Sequence, residues 1–544
     1  MPIRINTGFE VGAPLPLDSR FELSKAEMLA VNDNVMPALY FALCTDDNAF
    51  YLYAKTNTVD QHTGKFRYMF DQDGPTDESE VISLISQYAA SPSDMQTVQN
   101  QITAILADAP SDCNTFKEVS DILSLTPTES ITDEEILSLF ETYSGVRYGI
   151  KVDKNDSNPA TRCTYMYDAE GMTPAKMVYT SGEEHFDMGS WGDAFFIKSN
   201  YPCMVKFDGT EDYKLDPEDH TKKLDGTASD VANLNYDGNA MSCFGQKIYL
   251  KEWSDDDYEY YVISDIQYDE TYECKAFINK DGEEVDKIYC PMYKGYKDSN
   301  NKLRSISGTT PTGSTTTADE ITYLENCGSR WQTLDWSTHE LLSVLLLLMS
   351  CNDDSQAAFG QGRTTGGSSA SSTNFATAGI YNDKGQFWGT NTTNNGDVKV
   401  FYIQSYWGNR FDRCMGCMTI GSQLYIKWNP PYSNAKTYTN LTTEATLLAD
   451  GYIKATKADT TAYTVPTSSG YQGKCDNTWG RLPIATNGTQ TTYNCDYYSY
   501  SSGTRLALFG GASRYGAYCG AWYVGLYSSA DTSYWNIGAS AYLK

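Results

Sequence analysis

Hydrophobic and polar positions alternate along most of this 544-residue chain, and the alternation changes period twice. Residues 1–72 read as strands and turns. Ala38–Leu43 and Phe50–Tyr53 flank the polar tip Thr45–Asn48, which predicts a hairpin, and Asp71-Gln-Asp-Gly-Pro75 closes the unit. Over residues 73–145 the period becomes helical. Val98, Ile102, Ile105 and Leu106 share one face, and Phe116, Val119 and Leu123 share another. Thr132 and Glu135 form a capping box there, with Ile131 and Ile136 at the staple positions. These short helices, broken at Ala109-Pro110 and Thr126-Pro127, predict a small connector.

Residues 146–317 return to strand patterning, as in Tyr258-Glu-Tyr-Tyr-Val-Ile263, and end in the loop-forming stretch Gly308–Thr317. Residues 318–544 hold one predicted helix, Trp336–Cys351. Its apolar run Leu341–Met349 is about half the length of a membrane span and reads as a buried core segment. Beyond it lie short segments punctuated by Gly, Asn and Thr. The expected class is α+β, rich in strands and loops, with a small N-terminal β domain and a short helical connector.

Composition sharpens this outline. Aromatic residues make up 13% of the chain, with 42 Tyr, which excludes a disordered acidic tail in spite of a net charge of −29. That charge argues against general binding of nucleic acid or anionic membranes. All of the negative excess precedes Ser355, because Ser355–Lys544 carries 14 Lys+Arg against 9 Asp+Glu and is itself net positive. The asymmetry fits either two regions with different partners or ordinary drift between domains. Met1–Asn6 has no apolar stretch of the signal-peptide kind, so synthesis in the cytoplasm is expected, without membrane insertion.

Residues that could carry chemistry are sparse. The 14 cysteines are scattered, and the one close pair, Cys414-Met-Gly-Cys417, lacks a second pair for a zinc site. It reads as two half-buried thiols. His339-Glu340 opens like a metalloprotease helix, but Ser343 stands where the second histidine would be. Asp153–Asp156 and Asp255–Asp257 invite a calcium reading, yet neither has the glycine and terminal glutamate of an EF-hand loop, so a solvated acidic face is expected and no cofactor is assigned. No nucleophile elbow or phosphate loop is present, and the expectation is a protein without enzymatic activity. Tyrosine is enriched from Tyr493 onward, where glycines and serines separate the rings. This composition suits a contact surface better than an aromatic core.

Several blocks then carry a resemblance. They are Asp208–Lys223 with Ala228–Ala232 and Gly238–Met241; Ser329-Arg-Trp331 with Asp354–Gly362; Lys384–Gly389, Val398–Phe401 and Trp407–Arg410; and Gly480–Pro483 with Leu508–Gly511 through Trp535–Ala539. Together they resemble the tail-associated receptor-binding proteins of gut bacteriophages and prophages. The resemblance implies a C-type lectin-like fold in residues 318–544, often diversified by a retroelement. It also implies a location on the virion tail, attachment to a host surface receptor of protein or glycan nature, and assembly, here expected as a homotrimer. More weakly, residues 7–70 resemble virion-attachment segments that contact other tail proteins. Position by position, Gly510, Gly511, Gly520, Ala521, Trp535, Asn536, Ile537 and Gly538 match the scaffold. Ser513, Arg514, Tyr515, Tyr518, Tyr523, Val524, Gly525, Tyr527, Ser533 and Tyr534 match the variable receptor-binding slots and are expected on one exposed face, with Trp535 and Ile537 pointing inward. The alternative readings are a tail-associated glycan depolymerase and a bacterial surface display protein. The lectin-like fold also resembles formylglycine-generating enzymes, but no matching motif surrounds Cys475, Cys495 or Cys519.

Overall fold

The computed structural model describes residues 22–23, 39–44, 49–54, 66–71, 145–180, 182–391, 396–428 and 441–544. The chain divides into two compact units, residues 1–145 with 268–270, and residues 146–267 with 271–544. In the first unit, strands Glu22–Leu23, Leu39–Cys44, Ala49–Ala54 and Phe66–Asp71 form one sheet in chain order. The expected hairpin is the antiparallel pair in which Leu39 faces Ala54 and Cys44 faces Ala49. Its tip, Thr45–Asn48, lies outside the described residues, as does the expected helical connector with Val98, Ile102, Thr132 and Glu135.

The second unit is strand-rich with few helices, the α+β class expected. Its largest sheet has seven strands, in the order Ile453–Lys454, Gln423–Ile426, Asp412–Ile420, Thr504–Phe509, Val524–Ser528, Tyr497–Tyr500 and Gly470–Tyr471. All pairings are antiparallel except that of Tyr497–Tyr500 with Val524–Ser528. A six-stranded sheet runs Glu211–Lys214, Asn200–Lys206, Gly238–Phe244, Ile288–Pro291, Tyr542–Leu543 and Trp331–Gln332. The strand Tyr542–Leu543 is thus inserted between two strands that lie more than 200 residues earlier in the sequence. A third sheet, Tyr249–Ser254, Tyr258–Ser264, Arg147–Asp153 and Cys163–Tyr167, covers another side of the core.

The expected helix is present as Trp336–Ser350, and every residue in it is buried. Leucines on all sides leave it no polar face, so it can be stable only when surrounded. Asp335 caps its start by accepting from the Thr338 N–H at 2.9 Å, and Cys351 ends it in the left-handed conformation with φ 44°. Four further helices were not anticipated among the described residues: Thr317–Cys327, Ser355–Phe359, Glu444–Ala449 and the single turn Phe195–Lys198. The first has a complete capping box, Thr316 with Asp319, which the sequence did carry. Among the described residues no helix is long and apolar enough to cross a membrane. Cys414 and Cys417, expected half-buried, are fully buried on strand Asp412–Ile420, where the central sheet packs against the helix.

One side chain ties the layers together. Arg481 is buried, donates from Nε to Glu259 at 2.7 Å and reaches both oxygens of Asp353 through its two terminal nitrogens. Asp353 also accepts from Arg162 at 3.0 Å, and the backbone N–H of Arg481 donates to Glu340 at 3.0 Å. Strand, helix and loop therefore converge on one guanidinium. Removing one member of such a group leaves uncompensated charge in the interior. Arg481→Ala is expected to destabilise the second unit by about 3–5 kcal/mol, read as an earlier denaturant midpoint by tryptophan fluorescence. An unchanged midpoint would show that the guanidinium is dispensable.

Candidate functional site

The segment after strand Thr504–Phe509 begins with Gly510 and Gly511, at φ 81° and 78°, values that side chains beyond glycine rarely adopt. A Cβ on Gly511 would also collide with Cys519. The paired glycines turn the chain into a tight irregular loop that includes a single 3₁₀ turn, Gly516–Tyr518, before re-entering the sheet at Val524. The loop is braced by hydrogen bonds rather than left to float. Ser513 N–H donates to Asn409 O at 2.9 Å, Gly516 N–H to Thr364 O at 2.8 Å and Ala521 N–H to Ser355 Oγ at 3.0 Å. The Gln356 amide reaches both Gly516 O, at 3.2 Å, and Cys519 O, at 2.6 Å.

This braced loop presents part of an aromatic band. Tyr518 stacks on Tyr497 with ring centroids 4.1 Å apart and meets Tyr471 edge-on at 5.2 Å. Tyr471 and Tyr497 are direct cross-strand partners, 5.4 Å apart. Tyr515 lies 6.4 Å from Tyr518 and 5.2 Å from Phe411 beneath. The Arg514 guanidinium stands 5.3 Å over Tyr515 and 6.0 Å over Trp535, which continues the band to Phe375 at 5.8 Å. Under the band, Phe411, Leu508, Ala512, Tyr523 and Ile537 form a buried cluster. Burial, reinforced by the neighbouring phenols Tyr518 and Tyr497, pushes Tyr471 up to about 12, so its hydroxyl stays protonated. The band therefore offers ring faces, phenolic hydroxyls and the exposed cation of Arg514.

The ten expected receptor-binding residues divide into three groups. Arg514, Ser533 and Tyr534 are exposed, Tyr534 by 59%. Tyr515, Tyr518 and Tyr527 are half-buried, with faces in the band or against Phe411. Ser513, Tyr523, Val524 and Gly525 are buried, which corrects their placement on an exposed face. The reason is the sheet. Val524–Ser528 is an interior strand flanked on both sides, and Tyr523 enters it with its ring on Phe411 at 5.2 Å and its hydroxyl 3.1 Å from Ser499 Oγ. Ile537 is buried as expected, whereas Trp535 is half-buried and belongs to the band. Tyr471, Tyr497 and Phe375 were not anticipated. Tyr497 sits in the tyrosine-enriched stretch, but Tyr471 joins only through strand pairing.

Elsewhere the suspected chemistry resolves into structure. The two acidic segments do meet, but Lys154 spans them. Its Nζ donates to Asp255 O at 2.7 Å and lies 3.6 Å from Asp476, while Asn155 donates to Asp257 at 2.9 Å. Among the described residues no three His, Cys, Asp or Glu side chains gather as a metal would need. His339 packs in the core, 3.7 Å from the Phe509 ring, and burial pushes it down to about 3, so it is neutral.

Neither a model of a protein family nor a curated protein matches this chain. The geometry yields a direct check on which tyrosines support and which present. Tyr523→Ala, at a fully buried ring, is expected to cost about 3–5 kcal/mol and to lower the melting temperature. Tyr518→Ala is expected to stay within about 1 kcal/mol of the parent, since it loses mainly ring-pair contacts. Equal melting temperatures for the two variants would contradict this layering.

Proposed function

We propose that the chain is a phage tail adhesin that attaches to a host cell-surface receptor through the aromatic band around Arg514, Tyr515, Tyr518, Tyr497 and Tyr471. The observation that carries this reading is the pairing of half-exposed rings with a hydrogen-bonded support. Tyrosine gives large contact area for two side-chain torsions, and a pre-braced loop loses little entropy on binding. The bidentate donor Arg514, held over two rings, adds a directional contact of the kind that dominates binding energy at interfaces.

In this reading residues 318–544 are the C-type lectin-like receptor domain, on the strength of the Gly510-Gly511 to Trp535-Asn-Ile-Gly-Ala539 motif, and the N-terminal unit faces the tail. The adhesin works as a homotrimer, because several weak sites presented together raise avidity by about 10² to 10⁴ without new contacts.

Arg514→Ala and Tyr518→Ala each remove a group from the centre of the band. Each is expected to weaken attachment by about 2 kcal/mol, a factor near 30, with melting temperature nearly unchanged. Adsorption of labelled protein to host cells measures this. Full attachment by both variants would place the receptor site elsewhere on the chain.

A further inference from the structure

The core of the second unit carries more carboxylates than cations. Glu259, Glu340 and Asp353 converge there with the half-buried Glu252, and among the described residues the guanidiniums of Arg162 and Arg481 face them, with Lys275 beside Glu252. Asp353 takes both arginines, and Glu259 takes Arg481 Nε and the Tyr261 hydroxyl at 2.9 Å. Glu340 receives one backbone N–H, from Arg481. One oxygen each of Glu252, Glu259 and Glu340 is buried with no hydrogen-bond partner.

Glu252 and Glu340 also line the same small cavity, about 10 Å³ in volume, with Ser337, Leu341, Ala276 and Trp428. That is room for about one water molecule. Lys275 is the nearest further cation, at the cavity mouth, but its Nζ is engaged by Glu273 at 2.8 Å and by the Trp428 ring at 4.3 Å. The remaining titratable neighbours are Cys417, buried behind Glu340, and His339 on the same helix, which is neutral.

An interior with two uncompensated negative charges is untenable at this burial, since an isolated buried carboxylate neutralises instead. We infer that the Glu252–Glu340 pair holds at least one proton in the folded protein at neutral pH, so that the fold of the second unit is stabilised by bound protons. Burial lifts both carboxyls above their ordinary value of 4.5, and the mutual repulsion of the pair adds to the rise at Glu340.

The sign follows from linkage. Folded-state values above the unfolded one mean that the native state binds more protons, so the stabilisation is complete below about pH 4.5 and is lost as pH rises through the raised values. Two other groups act in the opposite sense lower down. His220 and His339 are both held near 3 by burial, and they favour folding as pH rises toward 6.5. Above about pH 6.5 the histidines are silent. There Lys399, held well below its ordinary value by burial, works against the carboxyl pair, while Asp496 and the buried cysteines, raised by burial, work with it, so the pair is isolated by comparing parent and variants.

The test is unfolding of the full chain in denaturant from about pH 6.5 to 8.5, read by tryptophan fluorescence, for the parent, Glu252→Gln, Glu340→Gln and the double variant. Glutamine keeps the shape of a protonated glutamate and its acceptor for the Arg481 N–H. Relative to the double variant, the parent's unfolding constant should rise by up to about tenfold per pH unit for each proton the pair holds, because the other titrating groups are common to both. Parallel slopes in all four proteins would overturn the inference. So would a parent whose stability at neutral pH falls on chelation and returns with added divalent cation, because a metal would then supply the charge. Should the double variant not fold, the infrared carbonyl band of protonated carboxyls at neutral pH decides in the single variants: a band weaker than the parent's supports the inference, and an unchanged band in both overturns it.

Discussion

The guanidinium of Arg481 is the constraint on which the second unit depends. It is planar, always charged and buried, so it must find acceptors on opposite sides within a few ångströms. Asp353, just past the end of the long helix, supplies one side, and Glu259, on a strand from the other half of the sequence, supplies another. A stretch of chain that would otherwise be a wandering loop is thereby pinned between the helix and the third sheet. The terminal strand Tyr542–Leu543 does the same in backbone terms, slotting between Ile288–Pro291 and Trp331–Gln332. The acidic first part and the near-neutral second part of the unit are one folded body because these ties cross between them.

That rigidity is what makes a loop-borne surface plausible as a recognition site. The segment from Ala512 to Tyr523 has little regular structure, yet its backbone groups are bonded to Ser355 and Gln356 on helix Ser355–Phe359 and to Asn409 and Thr364 in neighbouring loops. Side chains carried on such a segment can differ without disturbing the core, provided that the inward set, Ala512, Tyr523 and Ile537, stays apolar and close-packed. The outward set then decides contact. Under the proposed function, support and contact are divided between neighbouring positions, so that Tyr523 braces the core and Tyr518, five residues earlier, faces outward.

The sequence was legible where local chemistry decides. The all-round leucine helix from Trp336, the hairpin around Thr45–Asn48 and the glycine pair at 510–511 each follow from their own residues. It was illegible where strand pairing decides. Tyr523 and Val524 look like exposed loop residues in a tyrosine-rich, glycine-rich stretch, and only their place between two neighbouring strands buries them. Tyr471 lies in an unremarkable serine-rich segment and reaches the band because its strand pairs with Tyr497–Tyr500. Glu259 is the sharpest case. Alternation along Tyr258-Glu-Tyr-Tyr puts a glutamate on the face that the core occupies, while Tyr258 and Tyr260 remain half-exposed. Nothing local announces that Arg481, 222 residues away, is waiting for it.

The central claim is that the braced aromatic band is the surface that meets the receptor. Hydrogen–deuterium exchange of the full chain, free and bound to host envelope fragments, tests it most directly, because it reads the footprint without any substitution. The account predicts slowed exchange confined to residues 512–520 and to the paired strands carrying Tyr471 and Tyr497. Unchanged exchange at those segments, with protection instead over the acidic loops of residues 208–237, would contradict it.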